Sequence, residues 1–180
     1  MHISLAFLDA GDEVLIPNPG YPTYTSVSKI VGAKTKYYEL SESNSWLPNL
    51  EKLKKMDLSK VKIMWVNYPN MPTGSNCSLS FFNDLISFCE ERNILLINDN
   101  PYSFILNDNP ISLLMARKSK NCLELNSLSK SHNMAGWRLG MVVGSKENIS
   151  NILKIKSNMD CLLYTSDAAD EGLGVDLGGR

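Results

Sequence analysis

Short, nearly unbroken apolar runs recur along the chain at Glu13–Pro17, Val61–Asn67, Ile94–Asn98, Cys122–Leu125 and Leu139–Val143. Each is closed by Pro, Asn, Ser or Gly, so each predicts a strand, and runs this apolar fit strands covered on both faces. Lys34–Leu40 instead alternates polar and apolar positions, which predicts a strand with one wet face. Between the runs the period changes. Ile3–Leu8 has helical length, and Thr25–Val31 predicts a helix ended by Gly32-Ala33. Leu50–Met56 predicts a short lysine-rich helix with a solvated face. Ser78–Glu91 places Phe81, Phe82, Leu85, Ile86 and Cys89 on one helical stripe, with Ser78 as N-cap. Glu147–Lys156 is helix-like and basic on one face. Asn18–Tyr24 is a dense turn, Ser41–Pro48 a polar loop, and Ile105–Lys120 a loop with an apolar patch at Ile111–Met115.

Composition narrows the class. The chain has 180 residues, 43% hydrophobic residues and a net charge of −1, which fits one soluble domain. Nothing in that balance points to nucleic acid or membrane partners. No run reaches transmembrane length, and no secretory signal opens the chain. Cys77, Cys89, Cys122 and Cys161 show no metal-binding spacing and predict free thiols in a reducing, cytoplasmic setting. His2 and His132 are the only histidines, too few for a histidine metal cluster, so no metal site is expected.

The chemistry concentrates where strands end. After the Cys122 run comes Asn126-Ser127-Leu128-Ser129-Lys130-Ser131, and Arg138-Leu139-Gly140 opens the next run. In a small-residue turn, Lys130 projects into whatever cleft the turn borders. A lysine in a dry or cation-rich cleft can be neutral enough to attack an aldehyde. Arg138 offers a planar fork for phosphate oxygens, and Ser127 and Ser129 add hydroxyl donors. Asp99-Asn100-Pro101-Tyr102 follows the Ile94 strand. A carboxylate at the carboxyl end of a central parallel strand faces the crevice where such sheets bind ligands. Taken singly, each residue also admits a plain role: a solvated loop lysine, a turn-forming aspartate, or Tyr21 and Tyr24 packing the helix that follows them.

Together these segments resemble the class I/II aminotransferases, the fold-type I pyridoxal phosphate enzymes. S-x-S-K-x-x-x-x-x-G-x-R-x-G matches their Schiff-base segment, and Asn18-Pro19-Gly20-Tyr21-Pro22-Thr23-Tyr24 matches N-P-x-Y-P-x-Y. Tyr68-Pro69-Asn70-Met71-Pro72-Thr73-Gly74 matches P-x-N-P-T-G, and Asp99 to Tyr102 matches D-x-x-Y. The resemblance covers Met1 to about Asp160. It implies an α/β, three-layer α/β/α large domain with a mostly parallel sheet and pyridoxal 5'-phosphate as cofactor. It assigns Lys130 as the lysine that holds the cofactor. Ser127 or Ser129 and Arg138 would hold the phosphate, Tyr21 would stack on the ring, and Asp99 would pair with the ring nitrogen. Tyr102 would donate to the ring oxygen. The chain departs from the pattern at Met71, where most members carry asparagine, so the asparagine contact would fall to Asn70. Tyr24 is expected only to pack.

The last twenty residues, Cys161–Arg180, lose the apolar periodicity and hold four of the eleven glycines. They resemble a translated sequencing-library adapter and are read as a non-native tail. Without them the chain loses one basic and four acidic residues, and its net charge turns from −1 to +2. The family's glycine-rich phosphate loop and its small domain, whose arginine binds the substrate carboxylate, are not found in the sequence. The expectation is therefore a central slice of the large domain, with an incomplete sheet, poor folding in isolation and little activity. The parent would move an amino group between an amino acid and a 2-oxo acid, and a homodimer is implied by the resemblance. A β-lyase on the same fold, or a non-catalytic sensor domain of a transcription regulator, are the alternatives. A nucleotide-binding doubly wound domain lacks its GxGxxG turn.

Overall fold

A computed structural model describes residues 1–160; the 161–180 tail, with Cys161, lies outside the described residues. Six strands form one sheet: β1 Glu13–Asn18, β2 Lys34–Glu39, β3 Val61–Val66, β4 Leu95–Asp99, β5 Cys122–Ser127 and β6 Gly140–Gly144. Their spatial order is β2-β1-β3-β4-β5-β6. The first five are parallel, and β6 returns antiparallel to β5. The expected mostly parallel α/β sheet is what the structure contains.

Side chains alternate across the sheet as the pleat requires. Val14, Ile16, Ile63, Trp65, Leu95, Ile97 and Leu123 enter one core. That core is closed by residues of α1 (His2–Phe7), α2 (Pro22–Ile30) and α6 (Lys146–Met159). Leu15, Met64, Val66, Leu96 and Cys122 point the other way, onto α3 (Leu50–Lys54) and α4 (Leu79–Glu90). The result is helix, sheet, helix. Leu85 and Ile86 of α4 are almost completely buried, as their spacing predicts. Ser78 caps α4 by accepting from the Phe81 N–H.

Three local expectations need correction. Helix α2 starts at Pro22 rather than Thr25, because proline's fixed φ and missing N–H suit the first helical position. Tyr24 is therefore a helix residue. Leu50–Lys54 is not only a solvated face, since Leu53 is 1% exposed. The apolar patch at Ile111–Met115 becomes a 3-10 turn at Leu113–Met115 that buries Leu113.

Cys77, Cys89 and Cys122 are buried free thiols. Burial pushes Cys77 up to about 12. At the β6 edge, Leu139, Met141 and Val143 are exposed apolar side chains. Among the described residues, no helix is long and apolar enough to cross a membrane, and no group of His, Cys, Asp and Glu could hold a metal ion.

Candidate active site

The carboxyl ends of β3, β4 and β5 open onto a cavity of about 360 Å³. Tyr21, Asp99, Tyr102, Ser127, Ser129, Lys130 and Arg138 all line it, although they are spread over 118 positions of sequence. Parallel strands bring this about: adjacent strands end on the same side, so residues just past each end converge.

Asp99 is the last residue of β4 and sits on the face shared with α2. Its Oδ2 accepts a 2.7 Å hydrogen bond from the Tyr24 hydroxyl. Among the described residues, no other hydrogen bond reaches its side chain. Burial raises the Asp99 carboxyl above the ordinary range, with the Tyr24 hydrogen bond opposing the shift. A half-buried carboxylate with one donor is chemically unsatisfied and suited to a cationic hydrogen-bond donor. Tyr24 is held by its surroundings. It is 5% exposed, stacks on Trp65 at 4.8 Å and 10°, and meets Tyr21 edge-on at 5.7 Å. Burial and the adjacent carboxylate push its phenol far up, so it stays a donor. Tyr102 is also raised, by burial first and then by Asp99.

The lysine turn is a single helical turn, α5 Leu128–Ser131, rather than a free loop. Ser127 caps it, its Oγ accepting from the Ser129 N–H at 3.2 Å. Lys130 is exposed on this turn and faces the cavity, with no ion pair among the described residues. Arg138 follows a 3-10 turn at Ala135–Trp137 and adopts a left-handed backbone with φ +54°. A non-glycine residue rarely takes that conformation, and such strain gathers at functional sites. Gly140 pairs with Ser127 across the β5–β6 ladder. A Cβ there would lie 2.9 Å from the Asn126 carbonyl oxygen, so only glycine lets β6 close beside the lysine turn.

Asn70 does not join the group. It lines a neighbouring cavity of about 330 Å³ instead, its Oδ1 accepting from Thr73 and its Nδ2 buried without a partner. Asn67 and Met71 face the Asp99 cavity in its place. The Asn67 amide is already committed, donating to the Asp99 carbonyl at 2.6 Å and accepting from the Met71 N–H at 2.7 Å. It braces the turn after β3 against the end of β4. Tyr24, expected only to pack, also donates to Asp99 from the first turn of α2, and Asn67 was not singled out from sequence. Their signal was position: one lies three residues after Tyr21, and the other just past a buried strand, as Asp99 ends β4.

The donor set fits pyridoxal phosphate. A guanidinium and two serine hydroxyls suit a phosphate, a carboxylate suits a protonated ring nitrogen, and an amine suits an aldehyde. The ring-oxygen side is the weaker match, since Met71 cannot donate and Asn67 is engaged, which leaves Tyr102.

Comparison with known proteins agrees. Residues 2–173 match the family model described as aminotransferase class I and II, a match that runs past Asp160. A curated LL-diaminopimelate aminotransferase of Dehalococcoides mccartyi is 44% identical over 162 residues, 88% of this chain and 42% of that protein. Substrate-bound BacF from Bacillus subtilis superposes with a TM-score of 0.83 at 37% identity, over 88% of this chain and 41% of that one. A probable N-succinyldiaminopimelate aminotransferase from Thermus thermophilus gives 0.81 at 31% identity, over 88% and 43%. The chain spans less than half the length of these relatives. By motif order, fold and sequence match, this chain belongs to the class I and II aminotransferase family.

Proposed function

We propose that this chain is the central part of the large domain of a pyridoxal phosphate-dependent aminotransferase. Such an enzyme converts an amino acid and a 2-oxo acid into the corresponding 2-oxo acid and amino acid. The observation that carries the reading is the convergence of Lys130, Asp99, Arg138 and the two serines on one cavity wall. When bound, the cofactor supplies a ring that accepts negative charge developing at the substrate Cα.

The residues then divide the remaining work. Arg138, Ser127 and Ser129 bind the phosphate and fix the cofactor's register. Asp99 keeps a proton on the ring nitrogen, and Tyr24 and Asn67 hold Asp99 in place through its side chain and its carbonyl. Tyr21 covers the ring face, and Tyr102 donates to the ring oxygen. Lys130 holds the cofactor and, once released by substrate, moves the proton from the substrate Cα as general base and returns it as general acid.

LL-diaminopimelate, named for the first relatives, is the first amino donor to test. A homodimer acting on small amino and 2-oxo acids follows from the same reading. Isotope exchange between an amino acid and its 2-oxo acid tests the reaction. Exchange without ammonia release supports transfer, and ammonia with no exchange would favour the β-lyase alternative.

A further inference from the structure

We propose that Glu124 is the positioning residue for Asp99, acting from the opposite face of the sheet. The inference rests on the cofactor reading above.

Asn98 on β4 pairs in register with Glu124 on β5, and Asp99 pairs with Leu125. The pleat therefore sends Asp99 to the cavity face and Glu124 to the face shared with α4. Glu124 is 4% exposed and makes no ion pair among the described residues, yet both its oxygens are engaged. Its Oε2 accepts from Asn98 Nδ2 at 3.1 Å and from the Leu113 N–H at 2.7 Å. Its Oε1 accepts from Asn100 Nδ2 at 3.1 Å. The two asparagines are the residues immediately before and after Asp99. One buried carboxylate thus grips both neighbours of the ring-facing aspartate, one per oxygen.

The grip extends further. Asn98 Oδ1 accepts from the Tyr68 N–H at 3.0 Å, and the Asn100 N–H donates to the Leu125 carbonyl at 2.9 Å. The ends of β3, β4 and β5 are thereby joined through the Asn98–Asp99–Asn100 segment. An acceptor with two oxygens suits the centre, because all three side- and main-chain groups pointing at it are donors. Glutamine in its place keeps one oxygen for Asn98 and Leu113, and its amide finds an acceptor only if Asn100 turns over, which gives up the 3.4 Å bond to the Ile111 carbonyl and offers the Asn100 Oδ1, unpartnered among the described residues.

That symmetry gives the test. In the complete, cofactor-loaded enzyme, Glu124→Met removes both oxygens at nearly the same side-chain length and breaks the network. Glu124→Gln is the conservative variant: Gln Oε1 still accepts from Asn98 and Leu113, and Gln Nε2 donates to the Asn100 Oδ1 once that amide turns over. Asn100→Ala removes a single donor and is the milder variant should Glu124→Met fail to fold. The readouts are the pyridine nitrogen resonance of 15N-labelled pyridoxal phosphate and the melting temperature of the cofactor-free protein. A positioning role predicts loss of the protonated-nitrogen signal in Glu124→Met, a partial loss in Asn100→Ala, and its retention in Glu124→Gln. Cofactor affinity should weaken by about tenfold in Glu124→Met, as it does for groups that orient a metal-binding residue. A lowered melting temperature with an unmoved nitrogen signal in folded Glu124→Met or Asn100→Ala would make Glu124 merely structural and overturn the proposal. A wild-type enzyme showing no protonated ring nitrogen would overturn the Asp99 assignment itself, a separate failure visible before any variant is made.

Discussion

Two carboxylates stand on adjacent strands at the same end of the sheet, and their surroundings are opposite. Glu124 faces the α4 side, where three donors close around it. Asp99 faces the α2 side, where Tyr24 is its single side-chain donor among the described residues. A buried acceptor that is fully met contributes order, whereas one left partly unmet is poised for a ligand. On the proposed reading, satisfaction rather than burial separates the residue that holds the site from the residue that works in it.

Removing each carboxylate sharpens the contrast, because the signs should differ. Glu124→Ala strands three buried donors, each at a cost of about 1–3 kcal/mol. A denaturant melt of the cofactor-free protein should show a loss of several kcal/mol; a loss under about 1 kcal/mol would mean the donors find water. Asp99→Asn should instead leave the cofactor-free protein at least as stable at neutral pH, while amino transfer falls by about 10²–10³-fold. The pH dependence follows from the raised carboxyl. Between the ordinary carboxylate range and the higher folded value, the folded state keeps a proton that the unfolded chain releases. Stability therefore falls as pH rises through that window, and Asp99→Asn should flatten the slope. An unchanged slope would put the titration on another group.

Smaller effects probe the supports. Tyr24→Phe keeps the stack on Trp65 and deletes the hydroxyl that donates to Asp99. It should cost about 1 kcal/mol of stability and move the Asp99 window to still higher pH, followed by NMR titration. Met71→Asn restores a donor on the ring-oxygen side and should tighten cofactor binding a few-fold, as one net hydrogen bond of about 0.5–1.5 kcal/mol would. Weaker binding by fluorescence titration would show that the thioether side of the cavity is adapted to methionine.

The strands and α4 were legible because local period and end signals decide them. That Lys130, Asp99 and Arg138 meet on one cavity was legible because Asp99 ends one strand, Lys130 sits in the turn after another and Arg138 precedes a third, each in a recognisable motif. What was hidden depends on register between distant segments. Tyr24 reaches Asp99 across 75 positions, Asn67 reaches its carbonyl across 32, and Glu124 meets Asn98 across 26. No periodicity announces such pairs. Asn70 shows the reverse error: neighbouring residues in a turn diverge, and a one-position offset put its amide in the next cavity. The start of α2 is hidden for a local reason, because Pro22 reads as a turn residue as readily as a first helical residue.

The most direct measurement is to load the complete enzyme with pyridoxal phosphate, reduce it with borohydride and map the labelled peptide by mass spectrometry. The expected label sits on Lys130 and vanishes in Lys130→Ala. No incorporation into wild type, or a label on another lysine that survives Lys130→Ala, would contradict the assignment of this cavity as the cofactor site.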